Sequence, residues 1–444
     1  MNTPKIIVIA LFSLLFFACG NDDTITSTVA EAPTETPSDP SSSKPNILLI
    51  IADDMGLDAT PGFDVGTIKP NMPNLQNMIN SGVRFSNLWS NPTCTPTRSS
   101  ILTGKYGFRT NVLNVGDVLS TSETSLQQFL AANSPEYSNA VIGKWHLSSS
   151  ASHPTAMGID YYAGLLSGGV QSYWNWNLTE NQQTSNSTEY TTTKFTDLAI
   201  DWIADQSNPW FLWLAYNAPH TPFHLPPNEL HTQGNLPTDQ ASIDANPIPY
   251  YMAMLEAMDS EIGRLLNSMS AEERENTIVI FIGDNGTPNA VVQQYISQRA
   301  KGTVYQGGVN VPMIVSGKDV GRFNTVEDAL VNTTDLFATI ADIAGSGTFE
   351  INDSKSFKEL LTTTNTDTRD YTYTEISRDN GSDYTIRNAT HKYILFSDGE
   401  EAFYNLSENP FENPNLLNAN QLPLSASDSS IKDELVNRLN EIRQ

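Results

Sequence analysis

The chain has almost no cysteine. Two are present among 444 residues, Cys19 and Cys94. Cys19 closes an N-terminal apolar run, so the folded body carries one cysteine and no intramolecular disulfide can form within it. Cations are also scarce: 24 Lys and Arg stand against 50 Asp and Glu, a net charge of −26. Removing residues 1–18, whose one charged residue is Lys5, makes it −27. A surface of that sign repels phosphate backbones and excludes nucleic acid as a partner. An anionic small molecule stays a candidate only if the few cations are gathered in one place. Long hydrophobic runs are missing too. After residue 18 no apolar stretch reaches the roughly 18 residues of a membrane-spanning helix.

Residues 1–18 carry one Lys and then an apolar run ending at a small residue, the pattern of a secretory signal peptide. Leu15-Phe16-Phe17-Ala18-Cys19 resembles a bacterial lipobox. That resemblance implies an exported lipoprotein held to the outer membrane by lipid on Cys19, on its periplasmic face or at the cell surface. Residues 19–44 are rich in Ser, Thr, Pro and acids and read as a flexible tether. The remainder suits one large domain, 45–345, and a smaller one, 346–444, divided near Gly345-Ser346-Gly347.

Five apolar runs read as strands: 45–52, 138–143, 210–216, 277–283 and 311–315. The first is apolar without alternation, as in a strand buried on both faces of a mainly parallel sheet. Helical periodicity before the third strand (Phe195, Leu198, Ala199, Trp202, Ile203) and the fourth (Met252, Leu255, Ile262, Leu265, Met269) completes a β–α–β alternation, and predicts an α/β fold. Residues 371–403 alternate aromatic or β-branched with polar residues, predicting a small antiparallel sheet, and 431–442 predicts a closing amphipathic helix. Ligands bind beyond the carboxyl ends of such parallel strands. Four strands here end in Asp53-Asp54, Lys144-Trp145-His146, Asn217-Ala218-Pro219-His220 and Asp284-Asn285.

Asp53, Asp54, Asp284 and Asn285 are oxygen donors at points where a strand has turned into a loop, so that adjacent side chains can share one ion. Three carboxylates and an amide match a hard divalent cation, Ca²⁺ before Mg²⁺, and not zinc. Read singly, each pair would pass as caps or turn formers. Thr95 to Leu102 predicts a helix start, with Thr95 as cap and Pro96 in the first turn. Residue 94 then sits at the positive helix end, where an unmodified cysteine would be an activated thiol and Arg98 can reach back toward it.

Cys94-Thr95-Pro96-Thr97-Arg98, followed by Ile101-Leu102-Thr103-Gly104-Lys105-Tyr106, resembles the formylglycine signature of type I sulfatases. Other segments agree in order: Pro45-Asn46-Ile47 through Asp54, Gly143-Lys144-Trp145-His146, Ala218-Pro219-His220, Gly283-Asp284-Asn285-Gly286 and Lys301-Gly302. The likeness runs over about residues 45–420. It implies the alkaline phosphatase-like fold, with a central mainly parallel mixed sheet flanked by helices and a small C-terminal domain of antiparallel sheet and helix. It also implies a Cys94 converted to 3-oxoalanine (formylglycine) by a maturating enzyme, and Ca²⁺ held by Asp53, Asp54, residue 94, Asp284 and Asn285. The hydrated aldehyde carries two hydroxyls: one attacks sulfur, and the second later loses a proton so that the aldehyde reforms and expels sulfate. The resemblance sets Arg98 and Lys144 on residue 94 and the sulfate, and His146 near the second hydroxyl. It sets Lys301 and His220 on the leaving-group side, His220 as general acid because imidazole titrates near neutrality.

The implied substrate is a sulfated poly- or oligosaccharide. Tyr173-Trp174-Asn175-Trp176 reads as exposed aromatics that favour a glycan, and His224 as a residue facing it. Specificity is expected in the loops 153–194 and 221–250 and in the C-terminal sheet. Two other classes stay open: a phosphodiester or phosphonate hydrolase of the same fold, and a non-enzymatic glycan-binding lipoprotein with an intact Cys94 thiol.

Overall fold

The computed structural model describes residues 44–364 and 369–444. The signal, the lipobox cysteine Cys19 and the tether lie outside the described residues, apart from Lys44. One sheet of eleven strands forms the centre: β1 (46–52), β2 (82–89), β3 (138–144), β4 (161–165), β5 (176–180), β6 (183–187), β7 (210–215), β8 (277–283), β9 (310–317), β10 (325–327) and β11 (331–332). Their spatial order is β10-β2-β9-β8-β1-β7-β3-β4-β5-β6, with β11 also on β2. The core β8-β1-β7-β3-β4 is parallel. β9 runs antiparallel between β8 and β2, and β5 and β6 continue antiparallel at the far edge.

β1 is buried along its whole length, and its side chains alternate between two cores, as a pleated strand must. Leu48 and Ile50 pack with Leu212, Leu214, Val279 and Phe281 under the helices 191–204 and 248–268. Ile47, Leu49 and Ile51 pack with Phe211, Trp213, Ile278 and Ile280 on the other face, against the helices 94–103 and 335–343. Each buried aliphatic side chain contributes about 1.5–3 kcal/mol, so the hydrophobic drive converges on the strands whose ends carry the polar residues. The register brings those ends level: Ala52 pairs Gly283, Ile51 pairs Ala215, and Gly143 pairs Ala215.

The C-terminal part forms its own four-stranded antiparallel sheet, 372–378, 381–387, 391–395 and 401–405. The helix 426–442 covers it through Leu435, Leu439 and Ile442, against Tyr373, Ile386, Tyr393 and Phe403. That helix starts five residues before the predicted 431. Ser425 caps it by accepting from Asp428 N, and a polar first turn gives no hydrophobic period to read. No helix among the described residues is long and apolar enough to cross a membrane.

Candidate active site

The helix holding residue 94 begins at Cys94 itself, with Thr93 in the extended cap position. Thr95 is therefore inside the helix, not its cap. The Thr93 hydroxyl makes no cap bond and is buried without a partner. All ten helix residues are buried although five are Thr or Ser and one is Arg. Their hydroxyls are satisfied locally: Thr97 Oγ1 donates to Thr93 O at 3.1 Å, Ser100 Oγ to Thr97 O at 2.8 Å, and Thr103 Oγ1 to Ser99 O at 2.8 Å. Gly104 ends the helix in the left-handed conformation.

Around Cys94 the strand ends converge. Cys94 Sγ and carboxylate oxygens of Asp53 and Asp284 lie within 4.8 Å of one another. His146 Nδ1 is 3.3 Å from Cys94 Sγ and 3.3 Å from Thr95 Oγ1. Lys144 Nζ donates to Asp53 Oδ2 at 2.5 Å, both side chains being wholly buried. Arg98 does reach the cluster: it donates to Asp284 Oδ2 at 2.9 Å and Lys144 O at 2.8 Å, and lies 4.0 Å from Asp53 Oδ1. Asp54 stands slightly apart. Its Oδ1 accepts from Asn285 Nδ2 at 2.8 Å and its Oδ2 from Lys301 Nζ at 2.5 Å, with His220 Nε2 at 3.8 Å from that same oxygen. Asp54 and His146 are non-glycine residues with positive φ, 71° and 57°. Such strain gathers where a side chain must be aimed at a site.

Electrostatics follow from burial and charge. Burial alone would raise the Asp53 carboxyl, but Lys144, His220, Arg98 and Lys301 hold it well below the usual range. Burial, reinforced by Asp53, pushes Asp284 up to about 7. Burial, then Lys144 and Arg98, push the His146 imidazole down to about 2, so it is neutral. The activated thiol expected at residue 94 is not found. Burial pushes the Cys94 thiol up to about 11, because Lys144 does not outweigh desolvation and the three Asp charges.

The residues present fit a hard cation. Asp53 Oδ1 and Asn285 Oδ1 are buried with no hydrogen-bond partner. Orphaned buried oxygens in a carboxylate cluster are what an oxygen-ligated ion would satisfy. Asp53, Asp54, Asp284, Asn285 and residue 94 would hold it. Asp54 is tied into the cluster by its backbone N, which donates to Asp284 Oδ1 at 3.0 Å, and by its own Oδ1, which accepts from Asn285 Nδ2 at 2.8 Å.

Several site residues escaped sequence reasoning. Asn217, at the end of β7, is buried with both amide atoms unpartnered, and Asp53 N donates to the carbonyl next to it, Ala218 O. Thr287 accepts from Gly56 N at 3.1 Å, bonds the Asp58 carboxylate, and takes Lys301 N on its carbonyl at 3.2 Å, tying three site loops together. Gly168 and Gly169 pack on the two histidines. A Cβ at Gly168 would overlap His146 Nε2, and one at Gly169 would sit 3.2 Å from His220 Cε1. Of the expected exposed aromatics only Trp174 is exposed, at 39%; Tyr173 and Trp176 are buried, Tyr173 in the turn that precedes β5 and Trp176 as the first residue of that strand. His224 does not face a ligand. It is buried with both ring nitrogens engaged, at 2.9 Å from Pro222 O and 3.0 Å from Tyr190 Oη.

The fold has counterparts. The chain is 28% identical to Arylsulfatase J of Mus musculus over 327 residues, 68% of this chain and 53% of that protein. It thus spans about half the length of that relative. Among solved structures, BT4656 in complex with its substrate D-glucosamine-2-N,6-O-disulfate superposes with a TM-score of 0.77 at 19% identity, covering 90% of this chain and 98% of that one. Ps i-CgsB in complex with k-i-k-neocarrahexaose gives 0.76 at 22%, covering 89% and 93%. At those identities the likeness establishes the shared architecture, including the small C-terminal sheet. The sulfatase family model matches residues 45–346, about two thirds of the chain; by that match, laid over the strand-end cluster around Cys94, the chain belongs to the sulfatase family.

Proposed function

We propose that this protein hydrolyses sulfate esters of a sulfated poly- or oligosaccharide, with Cys94 converted to formylglycine by a maturating enzyme and Ca²⁺ as its metal. The observation that carries the reading is the position of residue 94. It lies within 4.8 Å of Asp53 and Asp284 oxygens and 3.3 Å from His146 Nδ1, at the N-terminal end of a ten-residue helix. The cation, when bound, supplies positive charge that lowers the pKa of an attacking hydroxyl and neutralises sulfate oxygens.

The chain's own residues divide the remaining work. Lys144 and Arg98, both fully buried, fix the carboxylates and present positive charge toward residue 94. His146 is near enough to take a proton from the group at residue 94. Lys301 and His220, at 22% and 21% side-chain exposure, flank the Asp54 side of the cluster, where a leaving alcohol would enter from solvent. His220 there donates the proton that the departing oxygen needs, and Lys301 meets the sulfate. A sulfated glycan as substrate accords with the D-glucosamine-2-N,6-O-disulfate bound to BT4656 and the k-i-k-neocarrahexaose bound to Ps i-CgsB. Export and a lipid anchor on Cys19 belong to the same reading, since polymeric glycans are met outside the cytoplasm.

Two measurements test it. Peptide mass spectrometry on protein from its native host should find residue 94 lighter than cysteine by the conversion of CH₂SH to CHO. An intact thiol there would sink the mechanism. Parallel turnover of an aryl sulfate, a phosphodiester and a phosphonate ester should favour the sulfate. A far higher phosphodiester rate would move the enzyme to the phosphoryl class, and no turnover at all would leave a glycan-binding protein.

A further inference from the structure

We infer that Trp174 is a sugar-stacking platform, a subsite that takes the face of a pyranose ring next to the sulfated residue. The inference rests on the proposed carbohydrate substrate and deepens it. The segment that follows β4 runs over both histidines of the site: Gly168 lies on His146, Gly169 on His220, and Trp174 comes five residues later. Tyr173 anchors this segment to the site. Its hydroxyl reaches His220 O at 2.6 Å and Asn217 O at 2.8 Å.

Trp174 is exposed yet mounted. Its ring is 5.1 Å from Tyr190 and 5.0 Å from His224, and Tyr173 lies 4.1 Å from His224 beneath. Tyr190 and His224 are joined by their own hydrogen bond at 3.0 Å, and Trp174 N donates to Ser172 Oγ at 3.2 Å. Burying three aromatic residues to hold a fourth one open to solvent fixes a flat apolar face at low entropic cost to a ligand. The other exposed aromatic side chains among the described residues do not share this place. Phe323 follows β9, whose end, Gly317, pairs Ile278 near the amino end of β8, and Phe349 already has a cation, Lys355 Nζ, 5.6 Å over its ring. A pyranose presents axial C–H groups that suit an indole face, whereas a sulfate or carboxylate does not. The occupant is therefore the neutral ring face of a sugar, its charged substituents being left to Lys301, His220 and the cluster behind them.

The test compares wild-type protein with Trp174→Ala and Trp174→Phe. Binding is read on a panel of defined sulfated oligosaccharides and turnover on an aryl sulfate too small to reach the platform. The expected result is a loss of about ten-fold or more in affinity, or rise in KM, for the best-bound oligosaccharide with Trp174→Ala. Trp174→Phe should recover most of it, and aryl sulfate kcat/KM should stay unchanged in both. Unaltered oligosaccharide binding in Trp174→Ala overturns the inference. So does an equal loss on both substrate types, which would mark a disturbed His220 mount, and so does a wild-type protein that binds no glycan of the panel. Failure of the sulfatase reading is seen separately: it is a wild-type protein that turns over no sulfate ester, and the binding arm still decides for or against the platform.

Discussion

Replacing Lys144 by Met isolates the electrostatics of the site from its chemistry. Lys144 and Asp53 are both wholly buried and meet at 2.5 Å. The nearest other cation to Asp53 is Arg98 at 4.0 Å, and its shorter bond goes to Asp284 at 2.9 Å. Met fills the same volume but strands a carboxylate without its closest counter-charge. Removing one partner of a buried pair costs about 3–5 kcal/mol. The unit involved spans residues 43–444, and at about 2.1 cal/mol/K per residue its unfolding entropy is about 0.8 kcal/mol/K. The melting temperature in chelator should therefore fall by about 4–6 °C. Two further arms identify the cause. Added Ca²⁺ should narrow the gap to wild type, since a cation on Asp53 Oδ1 substitutes for the missing charge. The double variant Lys144→Met with Asp53→Asn should melt above Lys144→Met alone in chelator, because it removes the stranded charge. Scanning calorimetry or fluorimetry reads all three. A Lys144→Met variant that melts with wild type, or a double variant less stable than the single one, refutes the argument.

His224 gives a pH signature. Burial holds its imidazole down at about 4, against 6.5 for an unperturbed histidine. The folded state thus binds fewer protons than the unfolded chain between those values, and stability present above pH 6.5 is lost as pH falls toward 4. Between pH 7 and pH 5 this residue accounts for a loss of about 2 kcal/mol. His224→Gln, whose amide can still meet Tyr190 and Pro222, should show a correspondingly smaller drop in melting temperature over that range; equal drops would contradict the assignment. Gly168→Ala should lower turnover at least several-fold by displacing His146, with melting within about 1 °C of wild type, since the clash falls on one side chain. Unchanged kinetics would show that His146 needs no fixed position. Leu49→Ala, in the middle of β1, should cost about 2–5 kcal/mol by chemical denaturation; a cost below 1 kcal/mol would mean the two-faced core is looser than its burial implies.

The sequence displayed the centre of this fold and hid its edges, for a physical reason. A strand buried on both faces must be apolar throughout, so β1, β7 and β8 stand out, and the polar residues that end them are conspicuous for the same reason. β6 is Gln-Thr-Ser-Asn-Ser, with no apolar residue, and it exists because β5 supplies its hydrogen bonds. Its hairpin turns at Asn181 and Gln182, both at positive φ. Glycine usually fills the second of those positions, so the turn carried no sequence signal. Asn217 stands in a strand-end segment of the sequence with nothing to mark it as a site residue, because asparagine after a strand ordinarily starts a turn. Only complete burial with both amide atoms unpartnered sets it apart. The aromatic run 173–176 shows the converse: composition identified the cluster, but the direction of each ring is set by the turn at 173–175 that leads into β5, which has no period to read.

The scarcity of cations in this chain and the density of them here are two sides of one arrangement. Asp53, Asp54 and Asp284 are matched within the cluster by Lys144, Lys301 and Arg98, so the described site is near neutral inside a protein of charge −26. A neutral cluster favours neither a lone divalent cation nor a lone anion, because each would leave buried charge uncompensated. On the proposed reading the two would enter together, the carboxylates facing the cation and the lysines the anion. Lys144 and Lys301, each bound at 2.5 Å to a carboxylate, would on that proposal turn to the sulfate once those acids hold the metal. The long-range repulsion of a strongly acidic surface is screened within about 8 Å at physiological ionic strength. A few cations gathered at close range can therefore outweigh two dozen surplus carboxylates spread over the exterior.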